Sequence, residues 1–446
     1  MSDFQSEWQD YCKRYGEPDR VELMLCDLNA VLRGKWLPGS EIAKLTGGGV
    51  KLPLSTYAPN ILGSEVEATG LGIVVGDPDG ILQPVPGTLA KVPWADGHVA
   101  QVLVEMGESA GLVSDVSPRE VLRRNVQALA ELGLRAVVAT ELEFYLVQTR
   151  PEASDPPMPP ERLPDAQNYD LEVLDRHSAI MDQILEAAAE QGLATDTLIA
   201  EYGPGQFEVN FHHTGDVFAA AETALLFRRL VRGVVATHGF EATFMAKPYA
   251  EHPGSGMHMH VSMLNEAGDN VFAAETGVGP RLQHAVGGVL DSMRELQAIF
   301  APHLNSYRRF QPNSFAPATP DWGLDNRAAA VRLPETSGKG ARLEHRISGA
   351  DVNPYLALAA VLGGIAHGIR TKCEPPAPLD EAATSPAAPL AHDWTIAVDS
   401  LANSELAATF LGEKYRDIYV AVRRDEIAQL TTVIHPVEYA AYLSRL

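Results

Sequence analysis

Hydrophobic and polar positions alternate with period two in several short segments of the chain and with helical period in several longer ones. The first residues read as a short helix, followed by a strand in Val21-Glu22-Leu23-Met24-Leu25-Cys26-Asp27. From residue 33 to residue 93 Gly and Pro recur, with β-like pieces such as Gly72-Ile73-Val74-Val75-Gly76 and closely spaced turn signals (GDPDG at 76–80, PVPG at 84–87). This pattern predicts a small, mostly β domain. At Ser117-Pro118-Arg119-Glu120 the pattern changes: Ser117 can cap a helix, with Pro118 at its first position and Glu120 closing a capping box. The boundary falls just before it, giving units 1–113 and 114–446.

Beyond that point, residues 119–132 and 176–191 are amphipathic at helical period, and 136–139 and 141–147 read as extended. Two Pro-rich stretches, 151–164 and 374–391, read as surface loops. Asn353-Pro354 opens a buried helix ending near Gly368, and its apolar run, 355–369, is too short to span a bilayer.

Ionisable residues spaced by two inside the strand-like segments carry the candidate chemistry, because alternate strand residues share a face. Glu141 and Glu143 lie opposite to Leu142 and Phe144; His258, His260 and Ser262 project together; Arg342, Glu344 and Arg346 share a face. In Gln206-Phe207-Glu208-Val209-Asn210-Phe211 the polar set alternates with the apolar one. Each segment alone also describes the solvated face of an ordinary antiparallel sheet. Four of them in one domain, beside Gly-rich turns, point to a shared site. Converging carboxylates raise one another's pKa unless cations relieve them, and an oxygen-rich set with few imidazoles suits Mg²⁺ or Mn²⁺ better than Zn²⁺. With arginines nearby, the chemistry is that of phosphate: a metal cluster holding a nucleotide, and cations stabilising developing negative charge. No Walker A string, no GxGxxG and no HExxH occurs, so nucleotide binding has to use another architecture.

Composition narrows the partners. Among 446 residues, 35 Lys and Arg face 58 Asp and Glu, a formal charge of −23 that disfavours nucleic acid and anionic membranes. Cys12, Cys26 and Cys373 match no metal or redox spacing and fit a reducing compartment. The polar first residues show no signal peptide, so a cytoplasmic location is expected.

Eight segments, in order, resemble the glutamine synthetase family: TELEF (140–144), EYGPGQFEVNF (201–211), KP (247–248), GSGMHMHVS (254–262), NSYRRF (305–310), NRAAAVRLP (326–334), KGARLEHR (339–346) and NPYLALAA (353–360). The resemblance implies an α+β fold, with an N-terminal β-grasp-like domain and a catalytic domain built on a curved antiparallel sheet with flanking helices. It implies two metal sites, one ligated by Glu143, Glu201 and Glu208 and the other by Glu141, His258 and Glu344. Arg309 and Arg346 match residues that hold glutamate and the transferred phosphoryl group, with Gly254 in the glutamate loop. Arg327, Arg332, Lys339 and Arg342 resemble the ATP phosphate cluster, and His260 and Ser262 line the nucleotide. The implied reaction is phosphorylation of the glutamate γ-carboxylate by ATP, then attack by an amine on γ-glutamyl phosphate. Glu208 or a water would take the amine's proton.

Departures from the family pattern bear on the amine. Where glutamine synthetases carry a flap glutamate that hosts ammonium, this chain has Gln311-Pro312-Asn313-Ser314-Phe315, placing Phe315 at that position. The second ammonium acid has its nearest counterpart in Val50-Lys51-Leu52-Pro53-Leu54-Ser55-Thr56, which contains none. A hydrated cation needs anionic hosts, so the resemblance points to the γ-glutamylamine and γ-glutamylpolyamine (γ-glutamylputrescine) synthetase-like branch. A polyamine and an aromatic or alkyl monoamine stay open; ordinary glutamine synthetase and a catalytically silent relative are the alternatives. Pro253 stands where the family usually has Asn. No Tyr lies between Tyr355 and Tyr415, so adenylylation control is expected to be absent. The family also implies a hexameric ring with sites between subunits. Residues 423–446 resemble the tail that stacks two rings into a dodecamer.

Overall fold

The computed structural model describes residues 4–107, 113–161, 167–311, 315–379, 385 and 387–446. Two sheets and a helical layer make an α+β architecture, as expected. The N-terminal sheet has the strand order Leu32–Pro38, Arg20–Cys26, Val99–Gly107, Asp79–Pro84, Lys51–Pro53, with Ala90–Lys91 also on Val99–Gly107. Its central pair, Arg20–Cys26 and Val99–Gly107, is parallel and buried almost throughout, which is why VELMLC and VAQVLVEMG are near-continuous apolar runs. The helix Phe4–Tyr15 packs Phe4 and Tyr11 inward, and its Glu7 carboxylate accepts the backbone N–H groups of Gly87 and Leu89.

The larger sheet runs Trp322–Leu324, Val331–Glu335, Arg342–His345, Met257–Leu264, Arg135–Gln148, Gln206–Phe211, Thr195–Ala200, with Phe240–Thr243 also on Arg135–Gln148. All its pairings are antiparallel except Trp322–Leu324 with Val331–Glu335. Period-two alternation divides its faces. Leu142, Phe144, Phe207, Val209, Met257, Met259, Val261 and Leu343 are buried, while their polar neighbours line the other side. The Phe144 ring meets Phe207, Phe227 and Phe244 at 5.9, 6.5 and 5.6 Å between centroids, tying the sheet to the helix Val217–Thr237. The expected buried helix is Pro354–Thr371; the Asn353 side chain caps it by accepting from Tyr355 and Leu356 N–H, and also donates to the Asp27 carbonyl at 2.9 Å. Among the described residues no helix is long and apolar enough to cross a membrane.

Four local expectations are corrected. Residues 72–76 form not a strand but a 3₁₀ turn, Ile73–Val75, because Gly72 and Gly76 adopt φ of 84° and 81°. Ser117 precedes the helix Pro118–Ala130, but no capping box forms: its hydroxyl points to Glu105, and Glu120 pairs with Arg123. The amphipathic stretch 176–191 breaks at His177, leaving helices Leu171–Arg176 and Ser178–Glu190. The C-terminal tail starts later than residue 423. Arg423 and Glu426 are fully buried and paired at 2.6 Å, Arg423 donates to Asn29 at 2.7 Å, and Glu426 accepts Ile61 N–H. The exposed part follows the helix Glu413–Thr431. The Pro-rich stretches 151–164 and 374–391 carry no helix or strand among their described residues; 162–166, 380–384 and 386 lie outside the described residues, as do Pro312, Asn313 and Ser314 of the flap.

Candidate active site

Strand register assembles the site. Glu143 stands opposite Glu208, Glu141 opposite His258, and Glu344 opposite both His260 and Arg332. These side chains project from the polar face, where Glu141, Glu143, Glu201, Glu208, His258, Glu344, Arg309, Arg327, Arg332, Arg346, Gly254 and Phe315 line one cavity of about 570 Å³.

Electrostatics divide the carboxylates into two kinds. Burial alone would raise the Glu141 pKa, but His258 Nδ1 at 3.0 Å and His260 Nε2 at 2.8 Å carry it well below the usual range. Glu344 also ends below its ordinary value: burial opposes ionisation, and His258, Arg346 and His260 outweigh it. Arg332 Nη1 donates to Glu344 at 2.9 Å, and Arg346 donates to its other oxygen. Glu143 moves the other way, to about 8, through burial and the nearby Glu201, although Arg309 and the Gly256 N–H oppose the shift. Glu208 is pushed up to about 10 by burial and by Glu143, Glu141 and Glu201. Burial also raises Glu201, against the Tyr202 N–H and Arg327.

Carboxylates forced to hold protons at neutral pH are the signature of a site short of positive charge. Two groups have donor atoms within 4.8 Å of one another: Glu141, Glu208 and His258, and Glu141, His260 and Glu344. These oxygen-rich sets suit a hard divalent cation. Glu143 and Glu201 line the same cavity, and His260, which the resemblance places at the nucleotide, lies 2.8 Å from Glu141 and is not among the residues lining that cavity.

A pH dependence follows. Glu143 and Glu208 have folded pKa values of about 8 and about 10 against 4.5, so at these two groups the folded protein holds more protons than the unfolded chain between about pH 5 and pH 10. Stability of metal-free protein therefore falls as pH rises through that window. Thermal melts in chelator should show a lower Tm at pH 8.5 than at pH 6, with the Mg²⁺-induced increase larger at pH 8.5. A flat difference would show that these carboxylates are not the metal-responsive groups.

The cavity is also arginine-rich, with Arg309, Arg327, Arg332 and Arg346 in its lining. Arg309, 4 % exposed, donates to the Ile347 carbonyl at 2.8 Å. Gly254 approaches so closely that a Cβ would lie 2.6 Å from the Ala246 carbonyl oxygen and 2.7 Å from Arg309 Cγ. Gly254→Ala should displace Arg309 and lower kcat/KM for glutamate by about tenfold or more. The effect should appear mainly in KM, and an unchanged KM would separate this loop from the glutamate site. Ser262, Lys339 and Arg342 do not line the cavity. Arg342 donates to His260 Nδ1 at 3.3 Å, Ser262 donates to the Ala341 carbonyl, and Lys339 is exposed on the short turn Gly338–Gly340 beside them.

Several participants escaped the sequence reading. Gln206 donates to Glu143 and to the Gly254 carbonyl, both at 3.0 Å, joining the carboxylate and loop sides. Its place in the polar set of QFEVNF was the available signal. Tyr145, two residues beyond Glu143 on the same face, donates to the Pro253 carbonyl at 2.8 Å. Asp325 accepts from Arg332 at 2.6 Å, and no periodicity in its loop marks it. Tyr202 packs its ring 5.1 Å from that of Phe315. Phe315 is 67 % exposed and adopts φ of 58°, a conformation that costs a bulky residue about 1–3 kcal/mol and is held at functional loops.

Carboxylates and imidazoles that could hold divalent cations thus share one cavity with arginines, two of which, Arg332 and Arg346, are paired with Glu344. Comparison with known proteins gives its lineage: residues 115–442 match the glutamine synthetase catalytic domain, and the chain belongs to the glutamine synthetase family. It is 38% identical over 449 residues to gamma-glutamylputrescine synthetase of Escherichia coli (strain K12), covering 98% of this chain and 94% of that one. It is 34% identical over 368 residues to glutamine synthetase of Pyrococcus abyssi, covering 82% and 78%. A solved GmaS/ADP complex matches the whole of both chains with a TM-score of 0.86 at 27% identity.

Proposed function

We propose that this chain is an ATP-dependent ligase that joins the γ-carboxylate of glutamate to an organic amine. The amine ligase relative matches at 38% identity over 98% of the chain and the glutamine synthetase at 34% over 82%, so the comparisons lean towards an organic amine, and the site supports the same reading. The observation that carries it is the aromatic pair Phe315–Tyr202 in the cavity wall, on the flap where an anionic ammonium host would stand. An aromatic wall favours an alkyl, aromatic or polyamine substituent over a small hydrated cation, through apolar burial and cation–π attraction.

In this reading Glu143, Glu201 and Glu208, with Glu141, His258 and Glu344, hold two Mg²⁺ or Mn²⁺ ions. When bound, the ions neutralise the terminal phosphates of ATP. Arg309 and Arg346 fix glutamate with its γ-carboxylate towards the γ-phosphorus, while Arg327 and Arg332 place positive charge where it stabilises the transferring phosphoryl group. A γ-carboxylate oxygen forms the new P–O bond as ADP leaves. The amine enters as an ammonium ion, gives one proton to water or to Glu208, which the bound cations would keep ionised, attacks the acyl carbon and expels phosphate, to which the second nitrogen proton passes. Lys339, Arg342, His260 and Ser262 border the ATP end.

We place the units at 1–113 and 114–446, in a cytoplasmic enzyme that assembles as a hexameric ring. The exposed apolar Ile73, Val74 and Val75 support self-association, and the exposed Val433, Val437 and Leu443 support stacking of rings. Phosphate release measured with glutamate, ATP, Mg²⁺ and an amine panel tests the proposal. Turnover with putrescine or with alkyl or aromatic monoamines exceeding that with ammonium supports it. Ammonium-only turnover would make the chain a glutamine synthetase, and no turnover with any amine would make it a silent relative.

A further inference from the structure

A second cavity, of about 750 Å³, lies between the N-terminal sheet and the helix Val217–Thr237 and shares no lining residue with the catalytic cavity. We propose that it binds a small organic anion, a carboxylate or phosphate compound, and that its occupant bears on the glutamate end of the active site.

Charge is the first argument. Arg228 lines this cavity and is only 6 % exposed. Its guanidinium forms no ion pair among the described residues: Nη2 reaches only Met257 Sδ, at 3.9 Å, and Nε is buried without a partner. Burial, with Arg232 nearby, lowers its pKa to about 10 against the opposing pull of Asp351, which forms no ion pair with it, so it stays charged at neutral pH. A buried, unpaired cation is costly unless something anionic meets it. Arg232, one helical turn on, also lines the cavity, and its partner is the Phe244 ring, 5.3 Å away, rather than a carboxylate. Arg229 is already satisfied by Glu22 and Gln101, and Asp351 is the one carboxylate of the lining.

The cavity is also built to hold an apolar portion. Trp94 packs against the helix at Gly233, where a Cβ would lie 2.2 Å from the indole nitrogen. Only glycine leaves room for that ring, which with Phe244 and Leu225 gives an anion's carbon skeleton an apolar wall.

Two lining residues lead to the catalytic side. Asp351 accepts the Ser306 hydroxyl at 2.6 Å, and Ser306 belongs to the 3₁₀ segment Leu304–Arg309 that carries Arg309. Asn305 clamps the Lys247 backbone through N–H and carbonyl bonds of 2.8 and 2.9 Å, upstream of the Gly254 loop.

Calorimetric titration of the assembled enzyme with succinate, and separately with inorganic phosphate at fixed ionic strength, tests the site. In Arg346→Gln, which disables the catalytic anion site, one succinate or phosphate per chain should still bind, and wild type should show that same site in addition to any binding in the catalytic cavity. Binding should weaken about tenfold or more in Arg232→Gln, whose exposed position spares the fold, and in Arg228→Gln. Succinate should also change KM for glutamate in wild type and leave it unchanged in Arg232→Gln. Absence of binding by either probe would overturn the site, as would binding lost in Arg346→Gln but kept in Arg232→Gln. Binding with no change in KM would overturn the link to glutamate. None of these readouts depends on which amine the enzyme uses.

Discussion

Glu208→Ala should lower turnover by about 10³-fold, roughly 4 kcal/mol of transition-state stabilisation, while leaving the assembly folded. Glu208 lies opposite Glu143 in the sheet and within ligating distance of Glu141 and His258. Its removal takes away a cation ligand at the waist of the cavity. The same substitution should raise the Tm of metal-free protein, because burial and three neighbouring carboxylates make ionised Glu208 unfavourable in the folded state. Opposite signs for activity and metal-free stability distinguish a functional ligand from a structural acid. Steady-state rates and melts in chelator check both. A variant with most of its activity, or one destabilised without metal, contradicts the role.

Phe315→Glu should shift the ratio of kcat/KM for ammonium to that for an organic amine by about tenfold or more towards ammonium, ~1.4 kcal/mol. A carboxylate at this position supplies an anionic host and removes the ring that packs on Tyr202. Tyr202→Ala provides the complementary test, because it removes the aromatic wall without adding charge. It should weaken the organic amine and leave ammonium little changed. An unaltered ratio in both variants would place the amine elsewhere.

Much of the site was legible because a strand has an exact side-chain period. Glu141 and Glu143, and His258 and His260, had to share faces once their segments were strands, and the apolar residues between them had to form the core; Arg346, one residue beyond the strand Arg342–His345, still reaches Glu344. Pairing of those strands was not legible from periodicity: nothing in TELEF alone says that Glu143 meets Glu208 and Glu141 meets His258. The family resemblance supplied that grouping. Turn geometry defeated the local reading at Gly72–Gly76, where an apolar triplet looks like a strand but glycines at positive φ wind it into a turn. The tail resemblance placed its start at Arg423, but a side-chain pairing across the fold cannot be seen in the sequence: Glu426 and Asn29 hold Arg423 in the core. The second cavity was invisible in the sequence, since it needs the helix bearing Arg228 and Arg232 to face Trp94 across the fold.

The most direct test of the central claim is a competition in one vessel. Glutamate, ATP and Mg²⁺ are supplied with ammonium, putrescine and alkyl and aromatic monoamines at equal concentration, and products are quantified by mass spectrometry. The aromatic wall at Phe315 and Tyr202 predicts that a γ-glutamyl organic amide dominates. Glutamine as the dominant product would contradict it.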